Sequence, residues 1–184
     1  GHHNLHNAVT ALSMSILAGA PPHLLKDALS KFKGVARRFS YRIRRDDLVL
    51  IDDYAHHPTE LDALYQGVSE MYPDDQKVIV FQPHLFSRTR DFIDGFAESL
   101  ARFNQVFLLD IYPARETPIE GVNSSWLLEK IKKIAIDVDN ISLVSKESLP
   151  EHLKKSSCRI KLLVGAGDIG AEVSQITKIL EHEN

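Results

Sequence analysis

Apolar residues recur at helical spacing from Asn4 to Ala18, with Leu5, Ala8, Leu12 and Ile16 on one stripe. Gly19-Ala20-Pro21-Pro22 stops that helix, and a proline suits the first turn of the next one. A second helix is therefore expected to run to about Phe32 and to end near Gly34. Neither helix has a strand to pack on. The pair reads as the tail of a preceding domain, residues 1–34, distinct from a domain over 35–184.

Beyond Arg38 the pattern changes. Leu48–Ile51, Lys77–Phe81, Val106–Leu109, Ile141–Val144 and Ile160–Val164 are short apolar runs, long enough for buried strands and too short for helices. Helical stretches are expected between and after them, at roughly 59–71, 88–102, 124–134, 147–155 and 168–182. Alternating strands and helices with near-continuous apolar strands predict an α/β, Rossmann-like domain. Its sheet is mostly parallel, with helices on both faces. Ligands of such sheets bind outside the carboxyl ends of the strands. The chemistry-bearing segments fall there: Asp52–Pro58 follows the first run, Gln82-Pro83-His84 the second, Asp110–Glu116 the third and Gly165–Asp168 the last.

A hydrophobic fraction of 43% and a charged fraction of 26% are those of an ordinary soluble globular chain. No apolar run approaches the ~18 residues of a membrane span, and no basic leader precedes the apolar stretch Ala8–Ala20, so neither a membrane partner nor a signal peptide is expected. A formal charge of −3 gives no electrostatic reason for a nucleic-acid partner. Arg37, Arg38, Arg42, Arg44 and Arg45 are a local exception; most of that stretch reads as a solvated charged strand, although one arginine could meet a phosphate. Cys158 is the sole cysteine, which excludes an intrachain disulfide and fits a reducing cytoplasm.

Asp52, Asp53, His56 and His57 could ligate zinc or manganese, but adjacent loop residues rarely all point inward, and no metal site is assigned. An alternative gives one Asp to a ribose diol and one His to the reacting groups; turn formation and capping, with Thr59 capping the next helix, are the structural alternative. In Gln82–Arg90, Arg88 and Arg90 fall at a helix start, where cations oppose the dipole unless an anion binds. Arg90 reads instead as a partner of Asp91 or Asp94. Gly165-Ala-Gly-Asp-Ile-Gly170 matches the dinucleotide fingerprint, but the second strand and its ribose-binding acid, expected about 20 residues on, have no room in the sequence that follows. A tight strand–helix turn is expected there instead of NAD or FAD binding. Cys158 precedes a strand and reads as a small buried residue; neither a G-x-S-x-G elbow nor a G-x-x-x-x-G-K-[ST] loop occurs.

Together these segments resemble the Mur ligase family over essentially the whole chain. Gly1–Ala8 is similar to its G-x-H-N-x-x-N-A segment at the end of the central ATPase domain, and Gly34–Phe39 to the junction into the C-terminal domain. Asp52–Glu60, Phe81–His84 with Ser87–Asp91, and Asp110–Glu116 resemble the members that add the first amino acid in peptidoglycan synthesis. The resemblance implies an ATP- and Mg2+-dependent enzyme that joins L-alanine to UDP-N-acetylmuramate through an acyl phosphate. The N-terminal and central domains of that polypeptide would be partners of this one. It implies that Asn4 and Asn7 lie near adenine, Arg38 near the nucleotide phosphates and Asp53 at the ribose. Tyr54, His56, His84 and Arg88 would line the amino-acid pocket. His56 would orient the alanine ammonium or take its proton, since imidazole titrates in a useful range, and Arg88 would hold the carboxylate.

Many members carry arginine where this chain has Leu85, which would leave Arg88 more of that task. Without the P-loop the chain alone is expected to be inactive. Two other readings are a ligase of the same family that recycles murein tripeptide, and a non-catalytic α/β binding module.

Overall fold

A computed structural model of the protein describes residues 2–32, 34–135 and 140–182, with side chains from residue 5 onward. Gly1 and the Asn4 side chain, both assigned above, lie outside that description. The chain divides into two compact units, Gly1–Val35 and Ala36–Asn184.

The first unit is a helix pair, α1 (His2–Leu17) and α2 (Pro22–Lys31). Gly19 takes φ +88° where α1 closes, a left-handed conformation that glycine adopts without a Cβ clash. Pro22 opens α2, as its preset φ favours. Leu5, Val9, Ile16, Leu24 and Phe32 are each more than half exposed. Two helices are too few to enclose a core.

The second unit is a six-stranded sheet in the order β1-β2-β6-β3-β4-β5. The strands are β1 (Ser40–Arg44), β2 (Val49–Asp53), β3 (Lys77–Phe81), β4 (Gln105–Leu108), β5 (Ile141–Leu143) and β6 (Ile160–Val164). The helices are α3 (Pro58–Met71), α4 (Phe86–Asp91), α5 (Ile93–Leu100), α6 (Ser124–Lys132), α7 (Leu149–Lys155) and α8 (Ile169–Glu181). Every strand pair is parallel except β1 with β2. The predicted parallel α/β sheet is thus present, and the arginine-rich stretch supplies an antiparallel edge. There Arg42 and Arg44 are exposed, and charged side chains on an edge discourage further pairing.

Successive residues of a strand point to opposite faces, which divides the core in two. Val49, Ile51, Ile79, Phe81, Val106, Leu108, Leu162 and Val164 pack with α3, α5 and α6 residues such as Leu61, Phe96 and Leu127. Leu50, Val78, Val80, Phe107 and Leu163 pack with α7 and α8 through Leu149, Leu153, Val173 and Ile176. Each such fully buried side chain contributes roughly 1.5–3 kcal/mol.

The single helix expected over 88–102 is two. Phe92 leaves helical geometry (φ −118°, ψ 22°) and its ring meets that of His57 edge-on at 4.4 Å, a tertiary contact that local propensity cannot foresee. At the amino ends of the strands two buried lysines cap helix ends. Lys161 Nζ donates to Leu153 O (2.8 Å) and Ser156 O (2.9 Å), and Lys77 Nζ to Tyr72 O (2.8 Å) and Asp75 O (2.7 Å). Cys158 is buried on this side too, as a small core residue.

Candidate active site

Register places the opposite edge. Asp53 and Phe81 both pair with Val164, and Phe81 pairs with Leu108, so β2, β6, β3 and β4 end level. The segments that follow them, 54–57, 165–168, 82–85 and 109–116, therefore emerge side by side. An isolated parallel bridge His84↔Tyr112, with Leu85 N donating to Tyr112 O (2.9 Å), extends the β3–β4 pairing past the strand ends.

Four aromatic rings cross this edge in a row. Tyr54 and His56 have centroids 5.4 Å apart, His56 and His84 6.3 Å, and His84 and Tyr112 5.7 Å. Hydrogen bonding sets the tautomers. His56 Nδ1 lies 2.9 Å from Tyr54 O and 3.2 Å from Glu60 Oε2. Both neighbours accept, so Nδ1 carries the proton and Nε2 is the free acceptor of the neutral ring. His84 Nδ1 lies 3.3 Å from Arg88 Nη1. A guanidinium only donates, so here Nδ1 accepts and Nε2 bears the hydrogen. Burial, then the nearby Arg88 guanidinium, pushes the His84 pKa below that of an ordinary imidazole, which favours the neutral ring. The two imidazoles thus present opposite functions, an acceptor on His56 and a donor on His84.

Glu60 organises the first of these loops. Its Oε2 accepts from His56 N (2.8 Å) and His57 N (3.1 Å). With Pro58 at the first helical position, His57 is the N-cap and Glu60 the third residue of a capping box. The cap is therefore His57 and not Thr59, which bonds the His57 ring. Asp52 and Asp53 are buried on opposite faces of β2, so they cannot converge on one ion. Among the described residues no three His, Cys, Asp or Glu side chains are placed to hold a metal.

Asp53 accepts from Phe39 N (2.7 Å) and Ala55 N (2.8 Å); burial raises its pKa and these two N–H groups oppose the rise. Arg38 is largely exposed, 3.7 Å from Glu60 Oε1. Arg88 is half-buried at the third position of α4 and forms no ion pair among the described residues. Arg90, two positions on, pairs with Asp91 at 2.8 Å. The Glu116 carboxylate accepts from both Oγ and N of Ser87, which fixes the 109–116 segment to the start of α4 and holds the Glu116 pKa low. Leu85, between His84 and this helix, has φ +72°, a conformation of order 1–3 kcal/mol above the favoured regions for a bulky residue. Asn7 is exposed on α1, in the other unit.

The glycines of the fingerprint-like turn are committed to this chain's own side chains. A Cβ on Gly165 would meet Gln82 O at 2.7 Å, one on Gly167 would meet Tyr112 Cβ at 2.7 Å, and one on Gly170 would meet Arg37 Cζ at 2.6 Å. Gln82 spans the turn, with Nε2 donating to Asp168 (2.7 Å) and Oε1 accepting from Ile169 N (2.9 Å). Tyr112 and Arg37 are the site residues that motif spacing does not single out. Each stands in a segment that reads as functional, but only packing distinguishes it from its neighbours.

Residues 37–167 match the family described as "Mur ligase, glutamate ligase domain". The UDP-N-acetylmuramate–L-alanine ligase of Christiangramia forsetii is 57% identical over 183 residues, covering 100% of this chain and 39% of its own length. That of Flavobacterium johnsoniae is 52% identical over 180 residues, covering 98% and 39%. This chain thus spans about two-fifths of these curated relatives. Among solved structures, the UDP-N-acetylmuramate–alanine ligase of Thermotoga maritima superposes with TM-score 0.77 at 27% identity, covering 100% of this chain and 39% of that one. A murein peptide ligase from Psychrobacter arcticus shares the fold, with TM-score 0.70 at 19% identity over 100% of this chain and 38% of its own. The sheet order, the level strand ends with their His, Tyr and Arg segments, and a profile match over most of the sequence converge on one assignment: the chain belongs to the Mur ligase family.

Proposed function

We propose that residues 35–184 are the amino-acid-binding C-terminal domain, and residues 1–34 the end of the central ATP-binding domain, of a cytoplasmic ligase that joins L-alanine to UDP-N-acetylmuramate. ATP phosphorylates the muramoyl carboxylate. The alanine amine then attacks the acyl carbon, the C–N bond forms, and the C–O bond to phosphate breaks as phosphate leaves. Alanine arrives as an ammonium and must lose a proton before it attacks. His56, held by Glu60 with Nε2 bare, takes that proton. Arg88 and the Nε2–H of His84 bind the alanine carboxylate, and Tyr54 and Tyr112 flank it. Arg38 and Asp53 face the nucleotide, with Asn4 and Asn7 at adenine. Among the described residues no cluster of three or more His, Cys, Asp or Glu is placed to hold Mg2+; its ligands and the P-loop would come from the rest of the central domain.

The observation that carries this reading is the row of His56 and His84, whose Nδ1 atoms meet an acceptor and a donor respectively, beside a half-buried Arg88 with no carboxylate oxygen in contact among the described residues. The test is ADP release. The full-length protein is expected to release ADP at a rate that depends on UDP-N-acetylmuramate and rises with L-alanine. The 184-residue chain alone should release none. ADP release indifferent to alanine, or turnover by the isolated chain, would refute the proposal.

A further inference from the structure

Arg37 is held by three different elements of the second unit, and the proposed reaction assigns it no part. Its backbone is left-handed (φ +58°), as is that of Phe39 (φ +51°), a pair of conformations that non-glycine residues hold only when their surroundings fix them. The side chain supplies the fixing. Nε lies 3.2 Å from Asp52 Oδ1 at the end of β2, and Nη2 donates to Gly165 O at 2.5 Å in the β6–α8 turn. The guanidinium rests against the bare Cα of Gly170 on one side, and its Cζ lies 5.0 Å from the Tyr54 ring centroid. The Arg37 carbonyl accepts from Tyr54 N at 2.7 Å. Tyr54 is therefore held through both its backbone and its ring, and it is the first member of the row that runs through His56 and His84 to Tyr112.

We infer that Arg37 is a positioning residue for the amino-acid pocket, acting through Tyr54, and that Gly170 is glycine to admit its guanidinium. This rests on the ligase reading above. Arg37 touches neither of the proposed reacting partners. It ties β2, the β6–α8 turn and the Tyr54 loop into one rigid edge, so that Tyr54 and His56 meet the amino acid in a fixed geometry. The planar fork is needed because two acceptors and one ring face are served at once, which an ammonium cannot do.

The test is made in the full-length ligase with Arg37→Met, which keeps the packed stem, Arg37→Lys, which keeps the charge, and Gly170→Ala, which displaces the guanidinium without removing it. Each is expected to raise the KM for L-alanine about tenfold or more, with the KM for ATP within about twofold, since small misplacements of positioning groups act on the pocket they serve. Arg37→Met and Gly170→Ala combined should cost little more than the larger single change, because both break the same contact. A merely structural role would lower Tm and active-enzyme yield and leave the alanine KM alone. That result, or additive effects of the two changes, would overturn the inference. Wild-type enzyme that shows no alanine-dependent ADP release would instead refute the ligase reading.

Discussion

Replacing Arg88 with alanine in the full-length ligase is expected to raise the KM for L-alanine by roughly 30- to 1000-fold, with the KM for ATP nearly unchanged. The magnitude follows from the setting. Arg88 is half-buried, donates to the lone pair of His84 Nδ1 at 3.3 Å and feels the Glu116 carboxylate only at a distance, with no carboxylate oxygen within 4 Å among the described residues. A half-buried guanidinium with no directly bonded carboxylate is costly, and a substrate carboxylate in contact with it would relieve that cost. Removing one member of such a hydrogen-bonded charge pair costs about 2–4 kcal/mol, and each 1.4 kcal/mol is a factor of ten. Lysine keeps the charge but not the fork, so Arg88→Lys should recover part of the loss only. Leu85 sharpens the expectation, because it supplies no cation beside Arg88. Steady-state kinetics with alanine and ATP varied separately decide the matter, and an unchanged alanine KM for Arg88→Ala would remove Arg88 from the pocket.

Replacing His56 with alanine is expected to lower kcat by roughly 100- to 10,000-fold, the range of general acid–base contributions. The sign follows from the tautomer. Glu60 and Tyr54 O both accept from Nδ1, so the neutral ring offers Nε2 as a base and the protonated ring offers nothing to an ammonium. His84 behaves differently. Its pKa is pushed down by burial and by Arg88, which favours the neutral ring with its lone pair toward Arg88. A pH–rate profile of His56→Ala that matches wild type, at an unchanged rate, would exclude His56 as the base.

Much of this architecture is legible in the residues themselves. Strands buried on both faces, such as Lys77–Phe81 and Ile160–Val164, announce themselves as apolar runs, and the polar segments after them mark the site because parallel strands end together. The edge strand Ser40–Arg44 does not, because one side of it faces solvent and it alternates arginine with Tyr41 and Ile43. The break at Phe92 carries no glycine or proline to signal it, and comes from a ring contact with His57. The two arginines at 37 and 38 are equivalent as letters. Only the left-handed backbone on either side of Arg38 sends one inward to Asp52, Gly165 and Gly170 and the other out to Glu60. The His tautomers are a further step away, since they depend on which acceptors or donors the fold brings to each ring nitrogen.

The central claim, that this domain furnishes the L-alanine side of a Mur ligase cleft, is tested most directly by a competition. The full-length protein is supplied with ATP, Mg2+ and UDP-N-acetylmuramate, together with equal amounts of L-alanine and murein tripeptide, and the products are weighed by mass spectrometry. UDP-N-acetylmuramoyl-L-alanine is expected as the dominant product. A dominant tripeptide adduct, or ATP consumption with no amide product, would contradict it.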